Sequence, residues 1–196
     1  MQLAISDDGW LNNARRCPSP NFNVRPQTPI SLIVVHNISL PPKQFGGEYI
    51  EQLFCNQLNP NQHPYFAQIA HLQVSAHLLI RRTGEVIQFV SFLNRAWHAG
   101  ASHYQGRENC NDFSIGIELE GADDIPFEKI QYQQLADIVN CLQQHYPQIE
   151  QHITGHSDIA PQRKTDPGPA FDWLRLWQLL GKRHEINDGV IGFSQS

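Results

Sequence analysis

The sequence predicts a single α/β domain, and three stretches carry that expectation. Ile30-Ser-Leu-Ile-Val-Val-His36 is a β-branched, almost continuously apolar run, the pattern of a central strand covered on both faces. Ile115-Gly-Ile-Glu-Leu-Glu-Gly121 alternates strictly, placing Ile115, Ile117 and Leu119 on one face and Gly116, Glu118 and Glu120 on the other. From Pro126 the period becomes helical: Tyr132, Leu135, Ile138, Val139, Leu142 and Tyr146 form one apolar stripe, and Pro147 ends it.

The remaining elements follow in order. Residues 1–29, broken by Pro18, Pro20, Pro26 and Pro29, read as an irregular arm laid over a domain that spans residues 30–180. His36 closes the first strand at its C-terminal end, where ligands collect in layered α/β proteins. Gly47–Cys55 has Tyr49, Ile50, Leu53 and Phe54 at helical spacing and predicts a short helix. Asn59–Pro64 interrupts the chain, and His63 and His71 read as surface residues. Val74–Arg81 and Val86–Val90, joined by a glycine turn, predict a hairpin with His77 inside its first strand. Arg95–Gly100 suits neither strand nor helix of any length. It carries Trp97 and His98 among small residues and can form a pocket wall, the indole offering a platform for a sugar ring. Ile149–Thr154 predicts a short strand leading into the loop Thr154–Asp172, whose glycines and prolines exclude a regular helix. Phe171–Leu180 then forms a last amphipathic helix capped by Gly181, and residues 181–196 are a polar tail.

Composition narrows the partners. A net charge of -5 leaves no basic surplus for nucleic acid or an anionic membrane, and no apolar run approaches transmembrane length. The first ten residues lack the basic and apolar segments of a secretory signal, and Cys17, Cys55, Cys110 and Cys141 are too scattered for a zinc ribbon. They read as reduced thiols in a cytoplasmic protein.

Chemistry concentrates in the Thr154–Asp172 loop, which packs His156, Lys164 and Asp166 together. With His36 they compose an open zinc site of two imidazoles and a carboxylate, the kind that leaves a position for water. Lys164 would stabilise the oxyanion formed when water attacks an amide carbonyl, and Glu118 or Glu120 would handle the proton. Alternation alone does not choose between the two glutamates. The competing structural reading is that the histidines only make hydrogen bonds and Asp166 only caps the turn before Pro167.

Ile33–His36, Val74–His77, Arg95–Gly100, Tyr104–Arg107, Asn111–Gly121 and the blocks Thr154–His156 and Lys164–Trp173 together resemble the N-acetylmuramoyl-L-alanine amidase type 2 family. The resemblance spans residues 10–180. It implies a central mixed sheet flanked by helices, one zinc ion held by His36, His156 and Asp166, Glu118 as catalytic acid/base, and Lys164 as electrophilic stabiliser. The implied reaction splits the bond between the lactyl group of 1,6-anhydro-N-acetylmuramic acid and L-alanine in cytoplasmic peptidoglycan recycling. The alternative is a muropeptide-binding module of the same fold that does not cut. Substrate contacts carry over to Trp97 and Ala160. Position 109, an arginine in some relatives, is Asn109 here, with Arg107 nearby. A closed, structural metal site with Cys110 as fourth ligand is the third reading.

Overall fold

The computed structural model describes residues 3–181. In chain order the elements are β1 (Arg15–Arg16), β2 (Phe22–Val24), β3 (Leu32–Ile38), α1 (Tyr49–Phe54), α2 (Pro64–Ile69), β4 (Leu78–Ile80), β5 (Val86–Gln88), β6 (Asn94–Ala96), β7 (His103–Tyr104), β8 (Arg107–Glu108), β9 (Ser114–Glu120), α3 (Lys129–His145), β10 (Ile153–Gly155), α4 (His156–Ile159) and α5 (Trp173–Leu179). The main sheet runs β1-β5-β4-β9-β3-β10, parallel throughout except for the β4–β5 hairpin. The expected mixed sheet with flanking helices is therefore what the chain forms.

The apolar run of β3 and the alternation of β9 place these strands side by side at the sheet's centre, where neither is solvated. Ile33, Val35, Ile115, Ile117 and Leu119 face one way and pack with Leu135, Ile138, Val139 and Leu142 of α3 and Leu176 of α5. At about 1.5–3 kcal/mol for each large side chain taken from water, this layer anchors the domain. On the opposite face Leu32 and Val34 meet Ala99, Cys110, Phe113 and Ile159. That face is apolar near the strands' N-terminal ends and becomes polar towards their C-terminal ends, where His36 and Glu118 lie. Gln131 ties α3 to the sheet: its side chain caps the helix start and donates to the carbonyls of Ile80 and Glu120, each at 3.1 Å.

Several elements differ from expectation. The arm of residues 1–29 contributes β1, which joins the main sheet beside β5, and β2, which pairs with β6. β6 lies at the start of the stretch expected to be irregular, and its three residues are ordered by their partner strand rather than by local preference. His77 precedes β4 instead of lying inside it. α2 was not expected; it begins at Pro64, with the His63 ring accepting from the Tyr65 amide at 3.1 Å. The Thr154–Asp172 loop, expected to hold no regular helix, contains the single turn of α4. Gly181 follows α5 with φ +68°, as a left-handed cap requires, and the rest of the polar tail lies outside the described residues.

Candidate functional site

Register builds the site. β3 and β9 are parallel with His36 opposite Glu118, so the period of two puts Leu32, Val34 and His36 on the same face as Ser114, Gly116 and Glu118. β10 runs parallel to β3 on its other side, and His156 follows it directly as the first residue of α4. The chain then turns back: the Ser157 amide donates to the Asp166 carbonyl at 2.9 Å, and Asn37 Nδ2 donates to the Pro167 carbonyl at 3.0 Å. Two glycines make the close seating possible. A Cβ at Gly155 would lie 2.8 Å from Pro167 Cδ, and one at Gly168 would lie 2.3 Å from Asp123 Cα.

The outcome is a triangle of ligand atoms. His36 Nδ1 lies 3.0 Å from His156 Nδ1 and 3.0 Å from Asp166 Oδ2, and His156 Nδ1 lies 3.1 Å from the same carboxylate oxygen. His156 Nε2 is 3.1 Å from the Ala99 carbonyl, which can only accept, so Nε2 carries the proton and Nδ1 presents a lone pair. Burial pushes the His36 imidazole down to about 4, so it is neutral at neutral pH. A lone pair on His36 Nδ1 facing a carboxylate oxygen at this distance would be repulsive unless a cation lay between them. Two imidazole nitrogens and one carboxylate oxygen match a zinc site with an open position, so the residues fit the ion. Cys110 stands outside this group, in the apolar cluster beneath it.

His36, His156, Asp166, Glu118, Lys164 and Trp97 line one cleft of about 730 Å³. Glu118 is only 9% exposed and its Oε2 has no hydrogen-bond partner. Burial pushes its carboxyl well above the usual range, the Asp166 charge adds to this, and the Lys164 ammonium opposes it. Such a carboxyl is suited to holding and releasing a proton. Lys164 is placed by its backbone, since both its amide and that of Arg163 donate to the Ala160 carbonyl at 3.0 Å.

Glu120 has a different occupation. It is 2% exposed and accepts from Arg81 Nη1 at 3.2 Å, the Gly46 amide at 2.6 Å and the Arg82 amide at 3.1 Å. It is a structural anchor with its oxygens already engaged. Of the other expected site residues, Trp97 lines the cleft with its indole N–H donated to Asn23 Oδ1 at 2.7 Å. Asn109 and Ala160 border a separate cavity of about 550 Å³. Arg107 joins neither: its guanidinium lies over the Phe113 ring and donates to Ser31 and Thr28. His77 is structural, accepting the Gly116 amide through Nδ1 at 3.0 Å. His98, expected with Trp97 in a pocket wall, lines the same cleft, and its Nδ1 is 3.0 Å from His36 Nε2.

Residues 26–169 match the N-acetylmuramoyl-L-alanine amidase family, and the chain belongs to that family and is an amidase. Among its relatives, the 1,6-anhydro-N-acetylmuramyl-L-alanine amidase AmpD of Citrobacter freundii is 61% identical over 178 residues, covering 90% of this chain and 95% of the relative. AmpD of Escherichia coli K12 is 60% identical over 180 residues, covering 91% and 98%. A crystal structure of a selenomethionine AmpD derivative superposes with a TM-score of 0.88 at 60% identity, covering 90% of this chain and 99% of the other. AmpDh3 of Pseudomonas aeruginosa in complex with anhydromuramic pentapeptide is more distant, with a TM-score of 0.60 and 28% identity over 82% of this chain and 64% of its own.

Proposed function

We propose that this amidase is zinc-dependent and hydrolyses the amide between the lactyl group of 1,6-anhydro-N-acetylmuramic acid and L-alanine of the stem peptide, in cytoplasmic peptidoglycan recycling. The observation that carries the reading is the convergence of His36, His156 and Asp166 beside a buried Glu118, whose Oε2 has no hydrogen-bond partner, in one cleft. The AmpD relatives named for this bond support the choice of substrate. Residues 30–180 would form the catalytic domain, with residues 1–29 as an arm that adds strands to it.

His36, His156 and Asp166 would hold the ion. When bound, zinc supplies Lewis acidity, making a water more acidic and polarising an amide carbonyl. Glu118 takes the proton of the attacking water and passes it to the departing alanine nitrogen. Lys164 stabilises the negative charge that develops on the carbonyl oxygen. Trp97 stacks against the sugar at the cleft wall, and Asn109 and Ala160 meet the muropeptide from the separate cavity that they border.

Mass-spectrometric analysis of products from anhydro- and non-anhydro-muropeptides, with and without a chelator, tests this. The expected result is release of the stem peptide from the anhydro substrate, loss of release with chelator and recovery with added zinc. Tight muropeptide binding with no release in zinc-loaded protein would replace this reading with a non-cutting module.

A further inference from the structure

His98 has no step in the proposed reaction, yet its contacts define a task. Its Nδ1 lies 3.0 Å from His36 Nε2, and its Nε2 lies 3.1 Å from Ser114 Oγ. Ser114 Oγ in turn lies 2.5 Å from the Cys110 carbonyl. Proton positions follow link by link. A carbonyl oxygen only accepts, so the single hydroxyl proton of Ser114 is committed to Cys110. The hydroxyl oxygen then accepts from His98, whose proton must sit on Nε2. His98 Nδ1 is left with a lone pair and accepts from His36, whose proton must sit on Nε2 as well. The Nδ1 lone pair of His36 is thereby aimed at the point where His156 Nδ1 and Asp166 Oδ2 meet.

We propose that His98 is a positioning residue: driven by the Cys110 carbonyl through Ser114, it locks His36 into the tautomer that ligates a metal through Nδ1. This rests on the proposed metal-site reading for its purpose but not for its geometry. The ring is held firmly. Its backbone amide and that of Ala99 both donate to Asn111 Oδ1, at 3.1 and 2.8 Å, and it stands edge-on to His36 with centroids 5.0 Å apart. Gly116 lies beneath it, where a Cβ would be 2.4 Å from His98 Cγ. That contact explains a glycine in the middle of a central strand, which otherwise weakens it. Ala99, the next residue, orients His156 through its carbonyl. Two consecutive residues thus set the tautomers of both candidate imidazole ligands, one by side chain and one by backbone. Such outer contacts commonly govern metal affinity by about 10–100-fold.

The test uses chelator-treated, ¹⁵N-labelled protein at neutral pH. Long-range ¹H–¹⁵N spectra should show His36 and His98 as single Nε2–H tautomers, and His36 in the opposite tautomer would overturn the proposal. His98→Ala should give His36 mixed tautomers and lower zinc affinity, measured by chelator competition, by about 10–100-fold. His98→Asn places an amide oxygen near the former Nδ1 and should restore both the His36 tautomer and most of the affinity. A Ser114→Ala variant, which removes the relay without touching either ring, should leave the His98 tautomer mixed. Parental affinity and an unchanged His36 signal in His98→Ala would refute the role, as would an Asn variant as weak as the Ala variant. Wild-type protein with the expected tautomers but no zinc binding would remove the metal reading while leaving the relay standing.

Discussion

His36 and Glu118 are direct partners across the parallel β3–β9 register and project from the same face of the sheet. In-register neighbours on adjoining strands are about 4.8 Å apart at the backbone, so the candidate ligand and the candidate proton carrier are held together by the sheet's own hydrogen bonds. Loops supply the other participants, but this pair is as rigid as the fold.

Replacing Glu118 with Gln keeps the shape and removes the proton carrier. The expected outcome is a fall in kcat for muropeptide hydrolysis of about 10²–10⁴-fold with zinc content unchanged. Urea unfolding should show equal or greater stability, because a buried ionisable carboxyl whose Oε2 has no hydrogen-bond partner gives way to a neutral amide. Full activity in this variant would rule Glu118 out as acid/base.

Glu120 should behave in the opposite way. Glu120→Ala strips Arg81 and two backbone amides of their acceptor, although Glu51 still pairs with Arg81 at 2.8 Å. Breaking a buried ion pair from one side costs about 3–5 kcal/mol, reduced here to the extent that Glu51 compensates. Denaturant titration should show the loss, while kcat per folded molecule changes little.

Gly116→Ala places a methyl group 2.4 Å from the His98 ring, with no flexible chain end to yield. We expect a destabilisation of about 1–3 kcal/mol by denaturant titration. Zinc affinity should fall as well, since the displaced ring contacts His36.

Zinc added to chelator-treated protein should raise its Tm, because an ion that binds only the folded chain stabilises it by about 2.7 kcal/mol at a hundred times its Kd. Asp166→Ala, which leaves the two imidazoles without their carboxylate, should abolish that rise at the same zinc concentration.

Stability of the metal-free protein should fall in acid. Burial lowers His36 to about 4 and His77 to about 3, and His98 also lies well below its ordinary value. Each of these groups has a folded pKa below its unfolded one, so the unfolded chain binds more protons as pH drops below about 6.5. Each such proton contributes a slope of about 1.4 kcal/mol per pH unit. Glu118 works against them, because its raised carboxyl takes up a proton in the folded state first. The net expectation is stability that falls as pH drops below about 6.5, with Glu118 reducing the slope that the three histidines set. Urea titrations across that range in the presence of chelator measure it, and a flat profile would contradict neutral burial of the histidines.

What the sequence determined by itself was periodic or local. The apolar run of β3, the alternation of β9 and the stripe of α3 each encode which face is buried, because the period of a strand or helix is a property of its own backbone. The composition of the site was legible too, since imidazole, carboxylate and ammonium in a stiff loop already suggest an open zinc site. The tertiary structure decided what depends on distant partners. Glu118 and Glu120 share a face and are equivalent to alternation; the family resemblance points to Glu118, and in the fold Arg81 and the Gly46 and Arg82 amides occupy Glu120. The strands β1, β2 and β6 are two or three residues long and exist because a neighbour pairs with them. His36 and Asp166, 130 residues apart, meet only through the parallel return of β10, and the tautomer of His36 is set by a carbonyl at Cys110. Register and proton position are relations between chain segments, and no local pattern of residues contains them.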